Sequence, residues 1–184
     1  MAWIYPLNVS NLQFIISNGD IDTCYDVYFG ITNNHVRFYT KTPTNILESN
    51  STININTWYH VAAVWQGNIS KRIYINGIED NVSTQNLVIS QDRIGLWIGG
   101  VTGCDPNGLF NGTIDQVMVW NRSLSADEIN QTYYSGLYRL SNTSWEFYTN
   151  KTNLTRGSYT YQGIGKDGAG TQQLYQTAQK RFGR

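Results

Sequence analysis

This chain of 184 residues carries 13 basic and 13 acidic side chains, so its formal net charge is zero. The charges are scattered, and without a basic stripe the sequence excludes nucleic acid and an anionic membrane surface as partners. Hydrophobic residues make up 40% of the chain, which is enough to bury a core. No apolar run approaches the length of a membrane-spanning helix, so membrane insertion is not predicted.

Alternating apolar and polar residues predict an all-β fold. The predicted strands cover residues 2–5, 12–17, 25–32, 35–41, 58–65, 71–76, 78–81, 93–99 and 112–121. Asn33-Asn34 and Asn76-Gly77 have the chemistry of two-residue hairpin turns. Both central residues of such a turn take positive φ angles, and these residue types do so at low cost.

A single helix is predicted at about residues 125–135. Ser125 and Glu128 form the sequence pattern of a capping box, in which each side chain bonds to the other residue's backbone amide. Leu124 and Ile129 have the spacing of a hydrophobic staple around this start. Gly136 is the predicted end of the helix, because glycine adopts a left-handed C-terminal conformation easily.

Three segments carry a resemblance to a known family: WYHVAAVW at 58–65, IYINGI at 73–78 and FNGTIDQVMVWNRSLSADEI at 110–129. In this order and spacing they resemble the laminin-G-like branch of the concanavalin A-like jelly rolls, a family of extracellular recognition modules. The resemblance covers about residues 2–138. It implies a jelly-roll sandwich of two antiparallel sheets, and it implies a function in binding.

After about residue 138 the pattern changes, which predicts a jelly-roll domain at 1–138 and a partial immunoglobulin-like β segment at 139–184. A strand is predicted at 144–149, and LTRGSY at 154–159 resembles the tyrosine corner of immunoglobulin-like and fibronectin type III domains. Members of the resembled jelly-roll family carry a strand ahead of the one at Ala2. The resemblance therefore implies either a fragment or a fold whose missing N-terminal strand is supplied by the tail or by another chain, and it predicts self-association through an unpaired strand edge.

Two predicted loops are rich in the oxygen ligands that calcium prefers. The loop at 18–26 contains Asp20, Asp22 and Asp26, and the loop at 99–107 contains Asp105 and Asn107. In calcium-dependent relatives of the resembled family, metal sites are built from loops at one rim of the jelly roll. Calcium bound by the four aspartates is therefore one interpretation, and ordinary turn hydrogen bonds to the backbone are the other.

The two cysteines, Cys24 and Cys104, fall in these same two loops. No Cys-x-x-Cys pair or Cys/His cluster indicates zinc. A disulfide between them would hold the loops side by side, and free buried thiols are the alternative.

Ten Asn-x-Ser/Thr sequons predict export and N-glycosylation, although a chain rich in Asn and Thr also produces sequons by chance. They begin at Asn8, Asn50, Asn68, Asn81, Asn111, Asn121, Asn130, Asn142, Asn150 and Asn153. An extracellular or cell-surface location is the expectation.

Aromatic rings stack on sugars, so exposed rings near the two loops are candidates for ligand contact. Tyr25 and Trp97 flank the loops and, with Asn107, are the predicted ligand-binding residues. The tryptophans in strands that resemble the family core are predicted to pack inside it: Trp3, Trp58, Trp65 and Trp120.

Catalytic chemistry is not predicted. Jelly-roll glycosidases use paired carboxylates on one strand, whereas no glutamate of this chain has an acidic partner at that spacing on a predicted strand. His60 is expected to be a structural histidine with satisfied hydrogen bonds. Asp115 is expected to be a buried or rim carboxylate bonded to backbone amides.

These observations and the resemblance together predict a noncatalytic extracellular recognition module that binds a glycan or a protein at a loop rim. We expect it to be part of a larger surface or secreted adhesin-like protein. Calcium is its one candidate cofactor. The alternative is a structural module of a surface layer, fibre or virion, with no small-ligand site.

Overall fold

The structure, a computed structural model, describes residues 1–18, 27–40, 45–67, 69–84, 95–100, 108–139, 145–149, 157–166 and 172–182, and it describes side chains as far as residue 136. The chain forms two compact units, Met1–Thr149 and Asn150–Arg184. In chain order the elements are β1 Ala2–Pro6, β2 Gln13–Asn18, β3 Val27–Thr32, β4 His35–Thr40, β5 Ile46–Thr52, β6 Tyr59–Gln66, β7 Ser70–Ile75, β8 Ile78–Ser83, β9 Leu96–Ile98, β10 Gly112–Asp115, α1 Ala126–Tyr133, β11 Ser135–Arg139, β12 Trp145–Thr149, β13 Gly157–Lys166 and β14 Gln172–Phe182.

Two five-stranded antiparallel sheets make up the body of the first unit. Sheet A has the strand order β10-β1-β6-β7-β8, and sheet B has the order β5-β4-β3-β2-β9. Alternate side chains from both sheets meet in one buried cluster: Ala2, Ile4, Val9, Ile15, Phe29, Ile31, Val36, Phe38, Leu47, Ile53, Val61 and Ile73. The predicted all-β sandwich of two antiparallel sheets is confirmed.

Both predicted hairpin turns are present. Asn33 and Asn34 have φ angles of 48° and 68°, and they join β3 to β4. Asn76 and Gly77 have φ angles of 52° and 78°, and they join β7 to β8. The two left-handed residues match the right-handed twist of the flanking strands, so the register of each hairpin is fixed by local chemistry.

Helix α1 begins as predicted. The Glu128 backbone amide donates to Ser125 Oγ at 3.2 Å, and the Ser125 amide donates to the Glu128 carboxylate at 2.8 Å. Leu124 packs against a second buried cluster that contains Ile129, so the staple is confirmed as well. The other buried members of this cluster, on the outer face of sheet A, are Met1, Ala62, Val64 and Tyr74.

The predicted end of the helix at Gly136 is wrong. The helix ends at Tyr133, its C-cap is Tyr134 with a φ angle of −88°, and Gly136 lies within β11. The Ser135 hydroxyl donates to the Gln131 carbonyl at 2.7 Å. Because this side chain satisfies a terminal carbonyl, the chain enters β11 without a left-handed glycine.

Three strand predictions need correction. Strand β5 was not predicted, because only Leu47 and Ser49 of its residues are buried and the alternation of apolar residues is too short to detect. The predicted strand at 112–121 ends at Asp115, since Gln116 has a φ angle of 47°, which interrupts strand pairing. Of the predicted strand at 93–99, residues 93 and 94 lie outside the described residues, and within 95–99 strand β9 covers Leu96–Ile98.

The C-terminal part consists of hairpins. Strand β12 pairs with β11 and matches the predicted strand at 144–149. In the second unit β13 pairs with β14 in an antiparallel register. The pairing runs from Gly157 opposite Phe182 to Lys166 opposite Gln172. The resemblance of this segment to an immunoglobulin-like domain stays a prediction. Among the described residues, no helix has the length and apolar character needed to cross a membrane.

Candidate functional site

Most of the predicted site residues lie outside the described residues. These are the aspartates Asp20, Asp22, Asp26 and Asp105, the cysteines Cys24 and Cys104, and the predicted ligand contacts Tyr25 and Asn107. Trp97 is described, and so are the residues that flank both loops. The geometry of the predicted site is therefore given by the points at which the two loops leave the sandwich.

Those two points are adjacent. The Ser17 hydroxyl, one residue before the end of β2, donates to the Gly100 carbonyl at 2.7 Å. The Gly99 amide donates to the Ile15 carbonyl at 3.0 Å, and Ser17 pairs with Trp97 across β2 and β9. Segment 19–26 begins after Asn18, and segment 101–107 begins after Gly100. Hydrogen bonds thus bring the starts of the two predicted calcium loops together.

A cavity of about 500 Å³ opens at the same end of the sandwich. Apolar side chains from both sheets form its walls: Ile16, Val27, Phe29, Phe38 and Ala63. Its exposed lining residues surround the opening: Trp65, Gly67, Trp120, Asn121, Arg122 and Ser123. A volume of this size lies within the range of small-ligand sites. We call this opening, together with Asn18, Leu96 and Trp97, the rim.

Exposed tryptophans are concentrated at the rim. Trp97 is 43% exposed, Trp65 is 36% exposed and Trp120 is 37% exposed. The prediction that Trp65 and Trp120 pack inside the core is therefore wrong. It is also wrong for Trp58, which directly precedes β6 at the end of the strand opposite Trp65 and is 45% exposed. Burial of these rings depends on how the sheets and loops cover one another, which alternation within a strand does not encode.

The polar groups of the rim are close to neutral as a set. The Arg122 guanidinium donates to the Glu128 carboxylate at 2.7 Å. This bond, with the Ser125 backbone amide, lowers the pKa of Glu128 to about 2. The arginine charge is therefore compensated by its partner. The side-chain amide of Asn18 contributes an uncharged donor and an uncharged acceptor.

Two side chains singled out for possible catalysis lie elsewhere. Asp115 is exposed on β10, and its carboxylate accepts a bond from the adjacent Gln116 amide at 2.7 Å. It is bonded to backbone as predicted, but it is not buried. Because β10 ends here, the carboxylate serves the local turn of the chain.

His60 is fully buried, but its expected hydrogen bonds are absent. Neither ring nitrogen has a hydrogen-bond partner among the described residues. The ring packs against Trp3 and Tyr133 at centroid distances of 5.4 and 5.8 Å. Burial of the ring is the larger cause and the nearby Met1 ammonium is the smaller cause of a lowered His60 pKa, which is about 4. A neutral ring enclosed by aromatic side chains is a packing residue, not a proton donor to a ligand at the rim.

Sequence reasoning missed the buried ammonium of Lys71. The side chain is 1% exposed, it donates to the Asn45 carbonyl, and its Nζ lies 5.4 Å from the centroid of the Phe38 ring. Burial lowers the pKa of Lys71 to about 8. Phe38 lines the cavity, so the Lys71 ammonium packs against a ring of the cavity wall. The sequence pattern that could have indicated this burial is the position of Lys71 two residues before Ile73, because side chains two residues apart on a strand lie on the same face, here the inward face of β7.

The part of the chain with described side chains contains no group of three or more His, Cys, Asp or Glu residues that could hold a metal ion. The four predicted calcium ligands lie outside that part. Calcium binding is therefore a hypothesis about the two loops alone.

A model of the concanavalin A-like lectin/glucanases superfamily matches residues 1–130. Among curated proteins, the chain is similar to the pentraxin-related protein PTX3 of Mus musculus, with 24% identity over 141 residues, 69% of this chain and 36% of that protein. The human PTX3 protein is 22% identical over 142 residues, 71% of this chain and 37% of that protein. The chain thus spans about a third of the length of these curated relatives.

Among solved structures, the chain is similar to a protein from Bacteroides ovatus described as carbohydrate-binding. The TM-score is 0.59 at 17% identity, over 98% of this chain and 52% of that one. A sialidase from Trypanosoma rangeli gives a TM-score of 0.55 at 15% identity, over 72% of this chain and 22% of the sialidase. At these identities the likeness concerns the fold.

Proposed function

Because the chain belongs to the concanavalin A-like lectin/glucanases superfamily, we propose that it is a noncatalytic recognition module that binds a glycan or an extracellular protein at the rim. Its location would be outside the cell or at the cell surface. The observation that carries the proposal is the apolar cavity with two exposed tryptophans, Trp65 and Trp120, in its lining, at the end of the sandwich from which both predicted loops leave.

The chemistry of the rim favours a neutral glycan. Exposed indole rings offer flat apolar faces for the C–H surfaces of a sugar, and amide side chains bond its hydroxyls. The lining of the cavity contains no Asp, Glu or His among the described residues, and a hydrolytic mechanism on sugars needs two opposed carboxyl groups. The fold shared with a protein described as carbohydrate-binding is consistent with this choice.

Substitution of the rim tryptophans tests the proposal. A glycan microarray identifies a ligand for the full chain, and calorimetry then compares variants on that ligand. Trp65→Ala and Trp120→Ala, which remove the two indole rings that line the cavity, are expected to weaken binding at least about tenfold, which corresponds to ~1.4 kcal/mol. Trp58→Ala is the matched control, since Trp58 is equally exposed but lies beyond the opposite end of β6. Equal losses in all three variants would contradict a site at the rim.

The finer part of the proposal is calcium binding by Asp20, Asp22, Asp26 and Asp105. Its support is the hydrogen bond between Ser17 and Gly100, which brings the starts of the two acidic loops together. A metal that binds only the folded state raises the unfolding temperature. We expect a higher midpoint in calcium than in chelator, and no such difference in Asp105→Asn. An unchanged midpoint in the original chain would remove calcium from the proposal.

A structural role is the second candidate, and strand β9 favours it. Leu96 is 56% exposed and Ile98 is 57% exposed, and both belong to an edge strand of sheet B. An exposed apolar edge strand is a template for pairing with another chain. Sedimentation at increasing concentration would then show assembly that Ile98→Lys abolishes, whereas a chain that stays monomeric favours the recognition module.

A further inference from the structure

We infer that Asn111 and Asn121 are N-glycan attachment sites and that their glycans cover the open β10 edge of sheet A. The inference rests on the extracellular location in the proposed function, because N-glycans are attached in the secretory pathway. The sequence contains ten sequons and does not distinguish among them. Asn68, Asn142, Asn150 and Asn153 lie outside the described residues, and the structure distinguishes among the other six through the state of each side-chain amide.

The amides of Asn111 and Asn121 are free. Both residues are exposed, and within the described part of the chain neither side chain has a hydrogen-bond or ring partner. The third residues of their sequons, Thr113 and Ser123, are exposed as well. A glycan on either asparagine would replace contact with water and would break no bond of the fold.

Other described sequons have their amides engaged in the fold. Asn50 Nδ2 donates to the Asp80 carbonyl at 2.7 Å, and Asn81 Nδ2 donates to the Glu48 carbonyl at 2.7 Å. Asn130 Nδ2 donates to the Gly77 carbonyl at 3.3 Å, which ties helix α1 to the β7–β8 turn. A sugar on any of these nitrogens would enter a contact between two elements. Asn8 differs from these three: its Oδ1 accepts from the Ser10 backbone amide at 2.8 Å, but its Nδ2 has no bond among the described residues, so half-burial and not an engaged nitrogen distinguishes it from Asn111 and Asn121.

The two edges of sheet A explain why the free sequons matter. At β8 the Asp80 carboxylate accepts hydrogen bonds from the backbone amides of Asn50 and Ser51, so this edge is joined to β5 of sheet B. Among the strands of the described residues, β10 pairs with β1 alone, and three of its four residues are exposed. An open edge invites pairing with another chain. Asn111 and Asn121 bracket the segment 112–120, which contains that edge.

The two positions differ with respect to the rim. Asn111 precedes β10, and its carbonyl accepts from the Leu7 amide at 2.8 Å, away from the cavity. Asn121 lines the cavity opening. A glycan on Asn111 would therefore cover the strand edge alone, whereas one on Asn121 would also restrict which ligands enter the cavity.

The covalent step needs a lipid-linked oligosaccharide diphosphate as the second reactant. Nδ2 of the asparagine attacks C1 of the first sugar, and the N–C bond forms as the bond from C1 to the lipid diphosphate oxygen breaks. The diphosphate leaves with the bonding electron pair, and Nδ2 loses one proton and keeps the other. Because the product nitrogen carries one hydrogen and a bulky group, an exposed amide without partners accommodates it best.

Expression of the full chain behind a signal peptide in mammalian cells tests the inference. The secreted, folded protein is digested with peptide N-glycosidase in ¹⁸O water, which marks each formerly occupied asparagine. We expect label at Asn111 and Asn121, and we expect the loss of one glycan mass in each of Asn111→Gln and Asn121→Gln. Asn50→Gln and Asn81→Gln are the matched controls and should leave the glycan mass unchanged.

Absence of label at Asn111 and Asn121 would overturn the site assignment, and so would label at Asn50 or Asn81 of equal intensity. Sedimentation tests the covering role separately: the glycosylated chain should be monomeric, and the Asn111→Gln, Asn121→Gln double variant should associate as concentration rises. A double variant that stays monomeric would overturn that role. Neither readout uses a rim ligand, so failure here is distinguishable from failure of the recognition proposal.

Discussion

The two ends of the sandwich are closed in different ways. At one end, which we call the turn end, short connections bond to one another through the backbone: the Asn34 amide donates to the Val9 carbonyl at 2.8 Å, and the Ile53 amide donates to the Asn34 carbonyl at 2.8 Å. The opposite end is the rim, with a cavity of about 500 Å³ and exposed indole rings. In the proposed function this difference means that the turn end secures the fold and that the rim is free to vary with the ligand.

Exposure of a tryptophan is therefore insufficient to indicate a site. Trp58 at the turn end is 45% exposed and Trp97 at the rim is 43% exposed. The ring of Trp58 lies against Tyr5, with centroids 5.5 Å apart, and it does not line the cavity at the rim. What distinguishes the rim is the combination of rings, an opening and neutral amides.

The largest expected effect is acid destabilisation through His60, whose backbone amide is bonded to Asn76 of the turn end at 3.0 Å. Its pKa is about 4 in the fold and 6.5 as its ordinary value. Between these values the unfolded chain binds a proton that the folded chain does not, so the free energy of unfolding falls as pH drops from about 6.5 to 4. The loss amounts to ~3 kcal/mol and is complete below pH 4. Urea unfolding across this range measures it.

His60→Phe is the matched variant, because it fills the same space between Trp3 and Tyr133 without a titrating group. Its stability should be nearly constant over the pH range in which the original chain loses stability. The Met1 ammonium, whose pKa burial lowers to about 6, acts at higher pH in both proteins and cancels in the comparison. Parallel pH profiles for the two proteins would contradict the assignment to His60.

A smaller effect is expected from alanine at two glycines, one at each end. Gly77 at the turn end has a φ angle of 78°, and a Cβ there would lie 3.0 Å from the Tyr133 side chain. Gly67 at the rim has a φ angle of 49°, with open space around it. Gly77→Ala should cost about 2 kcal/mol and Gly67→Ala about 1 kcal/mol, because both strain the backbone but only the first creates a clash. Thermal unfolding of the two variants compares them, and equal losses would contradict the difference in packing.

Much of the turn end could be predicted because its chemistry is local. Asn33, Asn34, Asn76 and Gly77 have the residue types that a two-residue turn requires, and the capping box of α1 needs only four residues in sequence. Strand β5 escaped prediction because most of its side chains are polar and partly exposed. The turn of the chain at Gln116 escaped it because a positive φ angle at glutamine has no sequence signal.

The rim was predictable only in outline. The sequence placed two acidic loops and Trp97 together, and the Ser17–Gly100 bond agrees with that placement. The cavity, the exposure of Trp65 and Trp120, and the burial of His60 and Lys71 depend on the separation of the two sheets. Alternation assigns a side chain to a face of a sheet but does not say what covers that face.

The smallest expected effect is at the start of α1, which follows directly from the rim segment. Ser125→Ala removes the acceptor for the Glu128 amide and should cost ~1 kcal/mol of unfolding free energy. Ser125→Asp keeps an acceptor and places a negative charge at the helix N-terminus, so it should retain the stability of the original chain. Urea unfolding measures both, and equal stability of the alanine and aspartate variants would show that the cap contributes nothing. Because Ile129 and Leu124 pack the helix onto sheet A independently of the cap, binding at the rim should be unchanged in either variant.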